Sequence, residues 1–126
     1  MMKILVVDDE RDIQALFEQR FRKEIKEERV QLYFAFSGEE ALECLKKMEH
    51  EAVLILSDIN MPGMNGFQLL EAVKKKYLKP PPVVMMITAY GDSENHRMAT
   101  ELGADDFLTK PVDFSILKEK LNLTGA

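Results

Sequence analysis

Cysteine is almost missing from this 126-residue chain: Cys44 stands alone, so no disulfide can close within it. Set between Leu42 and Leu45, it reads as a small hydrophobe. An excess of positive charge is missing too. Seventeen Lys and Arg stand against 22 Asp and Glu, a formal charge of −5. That argues against nucleic-acid binding by this domain alone, because phosphate backbones attract basic faces. No apolar run is long enough to span a bilayer, and the start, Met1-Met2-Lys3-Ile4, runs straight into a strand pattern with no signal peptide. The expected location is the cytoplasm. Repeats and low-complexity segments are absent. The two histidines, His50 and His96, have no partners at metal-ligand spacing, so both read as surface residues.

What is present suits one domain over 1–126. Hydrophobic residues make up 46% of the chain, enough for one sizeable core. The apolar pattern alternates between two periods. Residues 3–8 form a continuous Val/Ile-rich run, as for a strand buried on both faces. Ile13, Leu16, Phe17, Phe21 and Ile25 then recur at helical spacing. Strands are expected over 30–36, 53–57, 83–88 and 106–109. Further helices are expected over 66–77, 92–102 and 114–121, with one entered at Ser37-Gly38-Glu39-Glu40. Met98, Ala99 and Leu102 share a face of the fourth helix, and Tyr77 turns inward on the third. The prolines Pro80, Pro81 and Pro82 stop that third helix. The charged run Lys74-Lys75-Lys76 and the residues Glu24, Lys26, Glu27, Glu28 and Arg29 read as solvated helix surface.

Five strands alternating with five helices imply a parallel sheet with helices on both faces. In such α/β sheets the ligand lies outside the carboxyl ends of the strands. Four of the five expected strands end in a functional group there: Asp8 with Asp9, Asp58, Thr88, and Lys110. Asp58 is the most informative. It closes the apolar run from Val53 and opens into Ile59-Asn60-Met61-Pro62-Gly63-Met64-Asn65-Gly66.

Carboxylates gathered this closely repel, and each raises the others' pKa, unless a cation sits among them. Hard oxygen ligands suit Mg2+, which keeps several waters and is commonly completed by phosphate. An ammonium and a hydroxyl at the same rim suit a phosphoryl group, whose charge spreads over three equatorial oxygens. An aspartate can be the nucleophile, forming an acyl phosphate. Asp58 stands alone after its strand, whereas the adjacent Asp8 and Asp9 suit metal holding. Simpler roles exist for the same residues. Asp9 or, better, Asp12 could cap the first helix, and Thr88 could be an ordinary β-branched strand residue. The Lys110-Pro111 bond is of the type that adopts the cis form at appreciable frequency.

Asp8-Asp9, Asp58 with Met61-Pro62-Gly63 and Gly66, Ile87-Thr88-Ala89, and Gly103 to Pro111 with its Lys110-Pro111 end together resemble the receiver domain of two-component response regulators. The likeness runs from Lys3 to about Leu121. It implies a flavodoxin-like (βα)5 doubly wound five-stranded parallel sheet with strand order 2-1-3-4-5. It implies that Asp58 accepts a phosphoryl group from a sensor histidine kinase or histidine phosphotransfer protein. The metal would be Mg2+, with Mn2+ an acceptable substitute, held by Asp8, Asp9, Asp58 and the backbone carbonyl of Asn60. Thr88 and Lys110 would contact the phosphoryl oxygens. Thr88 and Phe107 would form the switch; Phe107 has no hydroxyl where many members have tyrosine. Asn60 and Tyr90 occupy the positions that tune acyl-phosphate lifetime. The fourth helix, fifth strand and fifth helix would form the output face, and a dimer through it is one expected assembly.

Two other functions remain open from the residues. One is an Mg2+-dependent aspartyl phosphatase or phosphotransferase of the haloacid dehalogenase type. That class usually places a second acid two residues on at the first strand, whereas Asp58 lies on the third strand and is followed by Ile59-Asn60. The other is a pseudo-receiver, an interaction module that is not phosphorylated. The end at Thr124-Gly125-Ala126 fits either a complete single-domain regulator or a receiver cut from a longer one with an output domain.

Overall fold

Hydrophobic runs that alternate in period fold here into a five-stranded parallel sheet. The computed structural model describes residues 2–48, 53–76, 83–89 and 93–123. The strands are β1 (Met2–Val7), β2 (Val30–Ala35), β3 (Val53–Asp58), β4 (Val83–Ala89) and β5 (Asp106–Lys110). The helices are α1 (Asp12–Arg20), α2 (Arg22–Lys26), α3 (Gly38–Lys47), α4 (Gly66–Lys76), α5 (Ser93–Glu101) and α6 (Phe114–Lys120). The strand order is β2-β1-β3-β4-β5, all pairs parallel, the flavodoxin-like order that the receiver resemblance implied. The expected first helix is two, because the chain leaves helical geometry at Phe21 (φ −100°, ψ 13°).

Strand side chains alternate between faces with period two, and the core divides accordingly. Leu5, Val7, Ile55, Val84 and Met86 pack with Ala41, Leu45, Leu69, Leu70, Val73 and Ala99 from α3, α4 and α5. Ile4, Val6, Leu54, Leu56, Met85, Ile87 and Leu108 pack with Phe17 from α1, Phe21 from the junction of α1 and α2, and Leu117 from α6. Burial on both faces is why these strands read as continuous apolar runs rather than alternating ones.

Helix entries follow local side-chain chemistry. Ser37 accepts from the Glu40 amide at 3.0 Å and starts α3. Asn65 and Gln68 exchange reciprocal side-chain to backbone bonds of 2.9 Å ahead of α4. Asp113 caps α6 through the amides of Ser115 and Ile116. Neither Asp9 nor Asp12 caps α1: Arg11 holds the cap position and makes no side-chain cap bond. Among the described residues no helix is long and apolar enough to cross a membrane.

Three surface assignments are corrected. Leu16 and Ile25 are exposed, while Glu24 is buried. Met98 is also exposed, with Ala99 and Leu102 turned toward the core. Lys74 pairs with Asp105 at 2.8 Å rather than standing in solvent with its neighbours. Tyr77, Tyr90, His50, Asp92 and Pro80 to Pro82 lie outside the described residues.

Candidate functional site

Sheet topology decides which strand ends meet. β1 and β3 are neighbours, with Val7 in register with Ser57, so the residues that follow, Asp8 and Asp58, lie side by side. The strand order reverses at this pair, where α/β sheets open their ligand crevice. Asp8 continues the alternation of Ile4 and Val6, and Asp58 that of Leu54 and Leu56. Both carboxylates are nearly inaccessible, each 3% exposed, while Asp9 beside them is open to solvent. Oxygens of Asp8, Asp9 and Asp58 all lie within 4.8 Å of one another.

Each carboxylate is held locally. Asp8 Oδ1 accepts from the Glu10 amide at 2.9 Å, and Asp58 Oδ1 from the Asn60 amide at 3.3 Å. On the other side of Asp58, Oδ2 accepts from Lys110 Nζ at 2.6 Å. Lys110 ends β5, two strands away; β4 lies between them. The Lys110-Pro111 peptide bond is cis. Thr88 lies near the end of β4, buried at 6% exposure, in register with Thr109.

The charges act on one another. Burial pushes the Asp8 carboxyl above its ordinary range, and the neighbouring Asp58 adds to this; the Glu10 amide and Lys110 oppose it without cancelling it. For Lys110, burial works against the charged form. The hydrogen bond and charge of Asp58, helped by Asp8 and Glu10, outweigh burial and raise its pKa. Lys110 therefore stays an ammonium against Asp58.

The loop after β3 is shaped by two glycines. Gly63 has φ 73°, the left-handed region that side chains disfavour. Gly66 opens α4 hard against the Asp58 backbone: a Cβ there would collide with the Asp58 carbonyl oxygen and the Ile59 Cα. Its amide donates to the Ile59 carbonyl at 2.8 Å, so the loop closes back on the end of β3.

Asp8, Asp9, Asp58 and Lys110 are thus brought together. Phe107 lies lower on β5, half-buried against the α3/α4/α5 side of the core. Asn60 is exposed on the loop after Asp58. Two participants escaped the sequence reading. The Glu10 amide fixes Asp8, a backbone contribution that no side-chain pattern announces. His96, read as plain surface, is exposed yet stacks on Phe107.

The fold is thus a doubly wound parallel α/β sheet with an acid-lysine crevice at its strand ends. The chain belongs to the response regulator receiver domain family, whose model matches residues 4–122. Solved structures agree. The Vibrio cholerae chemotaxis protein CheY4 is 28% identical, with 97% of each chain covered and a TM-score of 0.79. The receiver domain of Francisella response regulator 1452 is 27% identical, with 98% of this chain and 95% of that one covered and a TM-score of 0.77. A probable two-component system response regulator/GGDEF domain protein is 25% identical over 97% of this chain but 48% of its own, with a TM-score of 0.83. This chain is therefore a receiver domain of two-component signalling.

Proposed function

We propose that Asp58 is the phosphoacceptor of this receiver, taking its phosphoryl group from a phosphohistidine on a histidine kinase or phosphotransfer protein. The observation that carries the reading is the 2.6 Å contact of Lys110 Nζ with Asp58 Oδ2, beside two further carboxylates at the strand ends. An Asp58 oxygen attacks phosphorus in line. The new O–P bond forms as the P–N bond to the donor imidazole breaks, and the departing nitrogen takes up a proton. Lys110 is positioned to follow the charge from the carboxylate to the equatorial oxygens, and the Thr88 hydroxyl can donate to one of them.

The donor set fits a hard divalent cation: three carboxylates within 4.8 Å, one of them held above its ordinary pKa by burial and by its acidic neighbour. Asp8, Asp9, Asp58 and the Asn60 carbonyl would hold Mg2+, or Mn2+ in its place. The ion supplies charge neutralisation for the incoming phosphoryl group.

Asn60, two residues after Asp58 in the chain, and Tyr90, two after Thr88, govern how long the acyl phosphate survives. Occupation of the site favours one arrangement of Thr88, which biases Phe107 and the face formed by α5, β5 and α6. That face is the output surface in this reading, for a target protein, an attached output domain or a second copy. The cytoplasm is the setting in which such donors occur.

Incubation with Mg2+ and acetyl phosphate, followed by intact-mass measurement, tests the reading. One added phosphoryl group in the parent protein, and none in Asp58→Ala, supports it. Steady hydrolysis of varied phosphate esters would instead indicate a phosphatase, and an unchanged mass an interaction module without phosphorylation.

A further inference from the structure

His96 and Phe107 form a ring stack between α5 and β5, with centroids 3.7 Å apart and planes 27° from parallel. Phe107 is half-buried: one side of its ring packs on the α3/α4/α5 core, and the exposed His96 ring covers another. The backbone beneath the ring is fixed. Phe107 is paired with Met86 in the sheet, and its amide donates to Asp106 Oδ1 at 2.8 Å. That carboxylate is itself pinned by Lys120 at 2.9 Å. Motion at this position is therefore left to the side chain.

Thr88 shares a sheet face with this ring. It continues the alternation of Val84 and Met86, which lie in the same core cluster that Phe107 packs against. Thr88 is in register with Thr109, two residues beyond Phe107, so the two side chains are diagonal neighbours on adjacent strands. Packed interiors leave little free space, so a shift of Thr88 toward the Asp58 end changes the room beside the Phe107 ring. An inward turn of that ring must leave His96.

We propose that His96 is a latch on Phe107: the stack holds the ring in the arrangement seen here and so opposes occupation of the Asp58 site. The inference rests on the phosphoacceptor reading above and adds a positioning residue to it. A ligand at Asp58 that favours the turned ring works against the stack. By linkage, loss of the stack strengthens binding of that ligand. The strength of an aromatic pair sets the size of the effect, about two- to tenfold in affinity.

The test is calorimetric titration of the metal-loaded protein with beryllofluoride, a phosphoryl mimic, in Mg2+ buffer. His96→Ala should bind about two- to tenfold more tightly than the parent. His96→Phe, which restores a ring, should return to within about twofold of the parent. In a Phe107→Ala background, His96→Ala should have no further effect, because the partner of the stack is gone. Unchanged or weaker binding by His96→Ala overturns the latch, as does a gain that survives in Phe107→Ala. A parent protein that binds no beryllofluoride and takes no phosphoryl group overturns the phosphoacceptor reading and the latch with it. A parent that binds while His96→Ala merely matches it overturns the latch alone.

Discussion

Lys118 of α6 reaches Glu24 of α2, with Nζ 3.0 Å from Oε2, and closes an ion pair across the α1/α6 side of the sheet. Glu24 is 4% exposed. Lys118 also donates to the Arg20 carbonyl at 2.8 Å and lies 5.2 Å from the Phe21 ring centroid. Nearby, Arg29 donates to the Leu123 carbonyl at 3.2 Å. The end of the last helix is thus tied to the turn between α2 and β2.

Removing one partner leaves the other buried and poorly matched. Lys118→Met is expected to cost about 1–3 kcal/mol, because Glu24 loses its main hydrogen-bond donor while remaining desolvated. Urea unfolding followed by circular dichroism measures this. The proposed phosphoacceptor site lies at the strand ends, so Mg2+ binding should change little in this variant.

The same pair sets part of the acid limb of stability. Burial raises the pKa of Glu24, but its hydrogen bonds, first that to Lys118, and the charge of Lys118 outweigh burial, so the group lies below its ordinary 4.5. Asp106, paired with Lys120, is likewise held below 3.8 despite burial. A depressed carboxylate contributes its stability above the unfolded value and loses it as pH falls through the folded one. Unfolding free energy should therefore drop as pH falls below 4.5. Glu24→Gln should show a shallower drop over that range in parallel urea titrations.

Mg2+ should raise the melting temperature, since it binds the gathered carboxylates of the folded state better than the dispersed ones of the unfolded chain. At ten times its Kd the ion contributes about 1.4 kcal/mol. Asp9 is exposed, so Asp9→Ala should fold normally yet lose most of this response. Differential scanning calorimetry with and without millimolar Mg2+ checks both. A melting temperature indifferent to Mg2+ in the parent protein would remove the metal site.

Gly66→Ala tests how the loop is fitted to the acceptor. Its Cβ would meet backbone atoms of Asp58 and Ile59, which cannot swing aside as a side-chain tip can. We expect a loss of about 1–3 kcal/mol in stability. Acceptance of phosphoryl from acetyl phosphate should slow as Asp58 is displaced. Full stability with unaltered phosphorylation would show that the loop has slack which the packing denies.

Much of this was legible beforehand, for a physical reason. Strands buried on both faces write themselves as apolar runs, and Asp8, Asp58, Thr88 and Lys110 each follow or close such a run. Parallel crossovers then bring those strand ends to the same carboxyl end of the sheet. Glu24 was hidden because polarity masked its phase. At 3.6 residues per turn it falls in the middle of the stripe set by Ile13, Phe17 and Phe21, while Leu16 and Ile25 sit on the margins. Its partner Lys118 is 94 residues away, beyond any local pattern. The Lys74 to Asp105 pair and the His96 stack on Phe107 were hidden likewise, each joining elements that only the fold makes adjacent.

The most direct measurement locates the acyl phosphate chemically. After incubation with Mg2+ and acetyl phosphate, borohydride reduces an aspartyl phosphate to homoserine, and peptide mass mapping finds the converted residue. Homoserine at position 58, and nowhere else, is the expected result. Conversion at Asp8, Asp9 or another acid, or none despite a gain in mass, would contradict the assignment of Asp58 as the phosphoacceptor.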